Sequence, residues 1–178
     1  MARKFTIAAK NGESATRPML ITYLNTSETA ATPAWNPMGL KVTESSIDYD
    51  YGTETKKDIL GGVYTDAQNP TMTQSLSGNE IVGGNEVMEH LLNLAVVEKN
   101  HTALVKQDCL IVHMYLKDTD GKAFAERYQG CAVLPTTNGG EGGGVLVSDV
   151  EITFGGTYTT GTASVGSDGT VTFTPDSD

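Results

Sequence analysis

Residues 107–116 carry two interleaved faces, with Leu110, Val112, Met114 and Leu116 on one and Cys109, Ile111, His113 and Tyr115 on the other. An alternation of two with both faces largely apolar reads as a strand deep inside a fold, covered by a layer on each side. Asp118-Thr119-Asp120-Gly121 then supplies a tight turn, and residues 123–134 return antiparallel. A chain built round such a hairpin must stack sheets or wrap one sheet on itself. Its 178 residues suffice for one core and no more, and 20 glycines with about two dozen threonines favour strands over helices.

Shorter apolar runs at 5–9 and 19–24 read as short strands with a loop between, followed by a polar stretch, 25–37. Residues 40–51 alternate, with Ile47, Tyr49 and Tyr51 opposite Asp48 and Asp50, and a change of phase at 44–46 predicts a bulge. The polar span 53–78 reads as a long excursion with short strands at 57–60 and 71–76. One helix is predicted over 86–99: Asn85 caps it, Glu86 and Glu89 suit its positive end, and Met88, Leu91, Leu92, Ala95 and Val96 form an apolar stripe. Residues 145–155 read as a strand with Leu146, Val150, Ile152 and Phe154 inward and Asp149, Glu151 and Thr153 outward. The glycine run 139–144 reads as a flexible loop. Residues 1–157 are expected to form the domain, and the Gly/Thr/Ser-rich segment 158–178 an extension or linker with a last strand at 170–174.

The formal charge is −10, spread along the chain, which disfavours adhesion to nucleic acid or an anionic membrane. No apolar run reaches the length of a membrane span, and the basic start, Arg3 and Lys4, leads into an apolar segment cut short by Lys10. A cytoplasmic site of synthesis and assembly is therefore expected. In that reducing setting Cys109 and Cys131 are expected to be buried thiols, although a hairpin could set them side by side for a disulfide.

Catalytic readings fare poorly. His90, His101 and His113 with the two cysteines lack the spacing of a zinc site. They read instead as a helix-flank residue, a loop residue and a strand residue with a satisfied ring. Cys109 sits among apolar neighbours, unlike an activated nucleophile. The glycine run has no Lys-Ser/Thr after it and no helix pattern, unlike a phosphate loop. Asp48/Asp50 and Asp149/Glu151 each project from one face of one strand, whereas glycoside chemistry places two acids across a cleft. No enzyme, metal or cofactor is expected.

The run Leu-Lys-Val-Thr-Glu-Ser-Ser-Ile-Asp-Tyr-Asp-Tyr-Gly-Thr-Glu-Thr-Lys-Lys-Asp-Ile-Leu-Gly-Gly at 40–62 resembles the strand and loop of major tail tube proteins of long-tailed, siphovirus-like bacteriophages. The order of strand, helix and closing hairpins over residues 1–157 is similar to that family as well, whereas the glycine run has no counterpart there. The resemblance implies a mainly β fold of two packed antiparallel sheets, sandwich- or barrel-like, flanked by one helix. It implies a long inter-subunit loop, here Thr53, Glu54, Lys56, Lys57, Asp58, Ile59 and Leu60, and stacked rings of six forming a hollow tail tube through which genomic DNA passes. Partners would be identical copies, a tape measure protein, and tail terminator and tip proteins, with DNA in transit but not bound and no membrane. The location would be the virion tail. Asp48, Asp50, Asp149 and Glu151 are the candidate lumen-facing acids. The alternatives are a tube protein of a secretion system or phage-like injection machine and, further off, a carbohydrate-binding β-sandwich, against which Trp35 stands alone and the tyrosines are scattered in sequence.

Overall fold

The fold is described from a computed structural model covering residues 3–27 and 31–176. Its strands are β1 (Thr6–Ile7), β2 (Leu20–Asn25), β3 (Trp35–Met38), β4 (Glu44–Asp50), β5 (Glu54–Lys57), β6 (Val63–Asp66), β7 (Thr71–Ser77), β8 (Gln107–Lys117), β9 (Ala123–Pro135), β10 (Val150–Phe154), β11 (Thr157–Val165) and β12 (Val171–Pro175). Helix α1 (Glu86–Leu92) widens into a π-turn over Asn93–Val97, and a short α2 (His101–Leu104) follows. All pairings are antiparallel. The mainly β class with a flanking helix and a curled, two-layered sheet agrees with the sequence reading.

The hairpin β8–β9 is the centre, as its two apolar faces require. One face of β8 puts Cys109 and Ile111 into a core shared with Met72 and Leu76 of β7, Val150, Ile152 and Phe154 of β10, and Val87, Met88 and Leu91 of α1. The other face puts Leu110 and Val112 into a second core with Tyr23, Ala125, Ala163 and Val171, against which Trp35 and Phe173 pack. One layer therefore runs β3-β2-β8-β9-β11-β12 and curls so that Trp35 and Phe173, from its two ends, both pack on the second core. The other, β4-β7-β10, joins at the far end of β9 and closes the first core.

β9 serves both layers because it turns a corner at Gly130. Residues 123–129 pair with β11, residues 132–135 pair with β10, and both partners lie along the same edge. Gly130 is the extra residue in the β8–β9 ladder, where Gln107 faces Cys131 and Asp108 faces Gln129, and its φ is 108°. Opposite it, Gly155-Gly156 links β10 to β11, and a Cβ at Gly156 would come within 1.9 Å of the Gln129 carbonyl oxygen. Only glycine tolerates both the backbone angle and the approach, so the paired bend is written into these positions.

Several sequence expectations are corrected. The segment expected as an extension is part of the sheet: β11 pairs with β9 over seven residues, β12 pairs with β11, and Thr162 and Ala163 are buried. Its Gly/Thr/Ser composition hides a strand whose small residues fit under the curl. The last two residues, 177–178, lie outside the described residues, as do 28–30 of the polar stretch 25–37. Within that stretch, residues 35–38 form β3. The phase change at 44–46 is no bulge but the start of β4 after a turn in which Lys41 has φ 63°, and its ladder with β7 runs unbroken from Glu44 to Asp50. The predicted strand 57–60 is the end of β5 and the following turn. Of the run 145–155 only Val150–Phe154 is strand, and Leu146, expected inside, is exposed, because residues 146–149 are held as loop by bonds from Ile81 to the Leu146 carbonyl and from Ser148 to the Asn79 carbonyl.

Asn85 caps α1 as expected, accepting from the Met88 amide at 3.3 Å. Past Leu92 the bonds lengthen to five residues, Glu98 N to Asn93 O at 2.9 Å, and Lys99 ends the helix with φ 56°. Asn100 then caps α2, so His101 opens a helical turn rather than sitting in a loop.

Between β2 and β4 the layers do not pair. Side chains bridge this seam: Thr22 Oγ1 donates to Gln74 Oε1 at 2.7 Å, Gln74 Nε2 donates to Ser45 Oγ at 2.9 Å, and Arg17 donates to the carbonyls of Leu20 and Ser45. Gly156→Ala is expected to cost about 2–5 kcal/mol from left-handed strain and the clash with Gln129. Gly83→Ala, with no atom near its Cβ position, should stay within about 0.5 kcal/mol. Urea denaturation of the two variants checks the pair.

Candidate assembly surfaces

Between Asp50 and Thr71 the chain leaves the body. β5 and β6 pair only with each other, Glu54 with Asp66 through Lys57 with Val63, and all of residues 48–69 are exposed. The hairpin is locally well specified: Lys56 Nζ bridges Glu54 and Asp66 at 3.0 and 3.5 Å, and Thr55 and Thr65 hydroxyls meet at 3.2 Å. At its tip the Asp58 Oδ1 accepts from the amides of Leu60 and Gly62, both at 2.8 Å, an Asx turn closed by Gly61 at φ 85°. That turn pushes two adjacent aliphatic side chains outward, Ile59 at 102% and Leu60 at 91% exposure. The loop residues singled out in the sequence therefore form one arm: Thr53 at its root, Glu54, Lys56 and Lys57 along β5, and Asp58, Ile59 and Leu60 at the tip.

The acids fall into two groups. β7 points Met72, Gln74 and Leu76 into the core, so Thr71, Thr73 and Ser75 face out; Asp50 stands opposite Thr71, Asp48 opposite Thr73, and Glu151 opposite Ser75. Asp48, Asp50 and Glu151 thus share the outer face of β4-β7-β10 with serines and threonines, and no lysine or arginine lies on those strands. Asp149 differs. It is half-buried before β10, and its Oδ1 accepts from the Gly78 amide at 2.8 Å, tying the end of β7 to the start of β10.

The tyrosines scattered in sequence come together in space. Tyr49 and Tyr51 stack at 6.5 Å and are about half exposed at the root of the arm, and Tyr128 stacks on Tyr158 at 5.9 Å. Burial first, and then the Glu126 carboxylate, hold the phenols of Tyr49, Tyr115 and Tyr128 above their ordinary range, so these rings stay neutral. Spacing placed Tyr49 and Tyr51 on one face, but gave no sign that Tyr128 and Tyr158 would stack, because these sit on β9 and β11.

The remaining candidates serve the frame. Cys109 and Cys131 are free and wholly buried neighbours on β8 and β9. Their mutual hydrogen bond and burial push the Cys109 thiol well up, the reverse of an activated nucleophile. His113 is buried, 3.0 Å from the Tyr115 hydroxyl and 3.3 Å from Glu126, and His90 meets Gln107 at 3.1 Å. No three His, Cys, Asp or Glu side chains among the described residues are placed to hold a metal ion. Gly139 in the glycine run bonds Val147 in both directions, at 3.0 and 2.7 Å. No helix among the described residues is long and apolar enough to cross a membrane.

No protein-family model and no curated protein matches the sequence. Among solved structures, the fold is similar to a chain from the cryo-EM structure of an extracellular contractile injection system, "PVC sheath/tube terminator in extended state". The TM-score is 0.51 at 11% identity, over 83% of this chain and 96% of that one. A chain from the "PVC sheath-tube complex in extended state" of such a system gives a TM-score of 0.50 at 11% identity, over 85% of this chain and 93% of that one. The likeness is one of fold.

The difference among the acids is measurable. Asp149→Ala should cost about 1–2 kcal/mol because it strips the Gly78 amide of a charged acceptor. Glu151→Gln and Asp48→Asn should stay within about 0.5 kcal/mol, as exposed substitutions do. Equal losses at all three positions in urea titrations would contradict this assignment.

Proposed function

We propose that this chain is a structural subunit of a phage tail or phage-tail-like injection machine, a protein that assembles with its own copies into a tube. The observation that carries the reading is the arm. The body already has two cores, yet a hairpin with no core of its own stands away from it, tipped by two exposed aliphatic residues. An isolated two-stranded hairpin is marginal in water, and two adjacent exposed aliphatic residues at its tip favour a second surface that covers it. The fold likeness to chains of a contractile injection system supports the same role.

Within that reading the narrower proposal is the major tail tube protein, stacked in rings of six, with Asp48, Asp50 and Glu151 lining the bore. A face of carboxylates and hydroxyls without cations suits passage of a duplex that must not stick. Since screening sets in over ~8 Å at physiological salt, the repulsion acts only on DNA close to the wall. Tape measure, terminator and tip proteins would engage the bore and the tube ends. In a contractile machine a sheath would engage the outer wall. The role is mechanical rather than catalytic, and the location is the tail of the particle, assembled in the host cytoplasm. The stacked Tyr49–Tyr51 pair favours one second reading, a carbohydrate-binding platform, and such a module would remain a monomer.

Negative-stain electron microscopy of the purified protein should show rings or tubes with a central hole. Replacing residues 53–67 by a short Gly/Ser link should abolish them while leaving urea stability within about 1 kcal/mol, because the arm contributes nothing to either core. Monomers at every concentration, with glycan binding, would overturn the assignment.

A further inference from the structure

The unpaired seam between β2 and β4 is an open groove of about 600 Å3. Its floor is Met38 and Leu76, its walls are Leu20, Ile21 and Val42, and Pro18 and Pro37 edge it. Arg17 and Glu44 stand at its mouth, both exposed, and neither has an ion-pair partner among the described residues. The arm tip is the converse object: Ile59 and Leu60, flanked by Lys57 and Asp58, which likewise lack ion-pair partners among the described residues.

We propose that this groove is the receptor for the arm tip of a second copy, with Ile59 and Leu60 seated between Leu20, Val42 and Leu76. This rests on the tube reading above and names the surface it leaves unassigned. Two complementarities select the occupant. An apolar pair meets an apolar cleft that the protein's own residues leave open. A +/− pair on the tip, Lys57 and Asp58, meets a −/+ pair on the mouth, Glu44 and Arg17, so that each charge finds its opposite. The tip does not fill the groove of its own chain, where both side chains remain fully exposed. The groove mouth lies at Glu44, the first residue of β4, and the arm departs after Asp50, its last; at ~3.4 Å per residue these ends stand about 20 Å apart. Tip and receptor are therefore different patches of one subunit, so a copy can give its tip to one neighbour and receive a tip from another. Repeated in that way the contact closes into a ring or grows as a filament, as the tube reading requires, whereas reciprocal exchange between two copies ends at a twofold dimer, and a cross-linked product that stops at dimer would overturn the ring arrangement.

The test is cross-linking with cysteines placed on the two partners, Val42→Cys in the groove wall and Leu60→Cys on the tip, in the full chain. Cys109 and Cys131 are wholly buried and provide a silent background. Under mild oxidation the double variant should give a ladder of dimer, trimer and higher species on non-reducing gels. Each single variant should show at least tenfold less product, and an equimolar mixture of the two singles should give a dimer containing one of each. Rings or tubes in the microscope with no ladder from the double variant would overturn the groove as receptor while leaving the tube reading intact. A protein that forms neither ladder nor rings would overturn both. Should Val42→Cys fail to fold, Thr43→Cys, exposed on the same groove, replaces it.

Discussion

Everything in this molecule is arranged round one bend. β9 must belong to both layers, and it does so only because Gly130 and the Gly155-Gly156 pair let two adjacent strands turn together with their backbones in near contact. On one side of the bend β9 holds β8 and β11 and encloses the core beneath the curl; on the other it holds β10 and starts the acidic layer. A side chain at Gly156 would force the strands apart and uncouple the cores. Corner-turning by glycine and a bulge is the usual way a sheet closes on itself without leaving its edges to pair at random.

Closure is incomplete by design of the sequence. The curl brings Trp35 and Phe173 to the second core with Arg127 over the Trp35 ring at 5.4 Å, and Arg127 is held from behind by Asp108. The first core is shut by α1 on one flank. The seam between β2 and β4 is instead spanned by side chains, which satisfy the polar groups there yet leave an apolar cleft. The same chain thus carries an arm with exposed aliphatic residues and a cleft with half-buried apolar walls, the two surfaces that the proposed contact between copies would join.

Much of this was legible in the residues. The two-faced strand at 107–116, the Asp-Gly turn after it and the capped helix at 85 follow from local periodicity and turn chemistry, which neighbours did not override. What escaped was set by tertiary context. β3 has Pro37 in a run of only four residues and is strand because β2 lies beside it. The Gly/Thr/Ser segment is core because the curl leaves room only for small side chains such as Ala163 and Thr162. Asp149 and Glu151 look equivalent at a spacing of two, but the strand begins between them, so one anchors a loop and the other faces out. The arm was recognisable as an excursion; the groove between β2 and β4 was not, since it is assembled from four separate segments.

The claim on which the functional account turns is that the arm tip holds copies together. Sedimentation velocity of the parent protein and of the double variant Ile59→Asp/Leu60→Asp, at matched concentration, tests it most directly. The account predicts ring-sized or larger species for the parent and a folded monomer for the variant. Identical sedimentation of the two would contradict it.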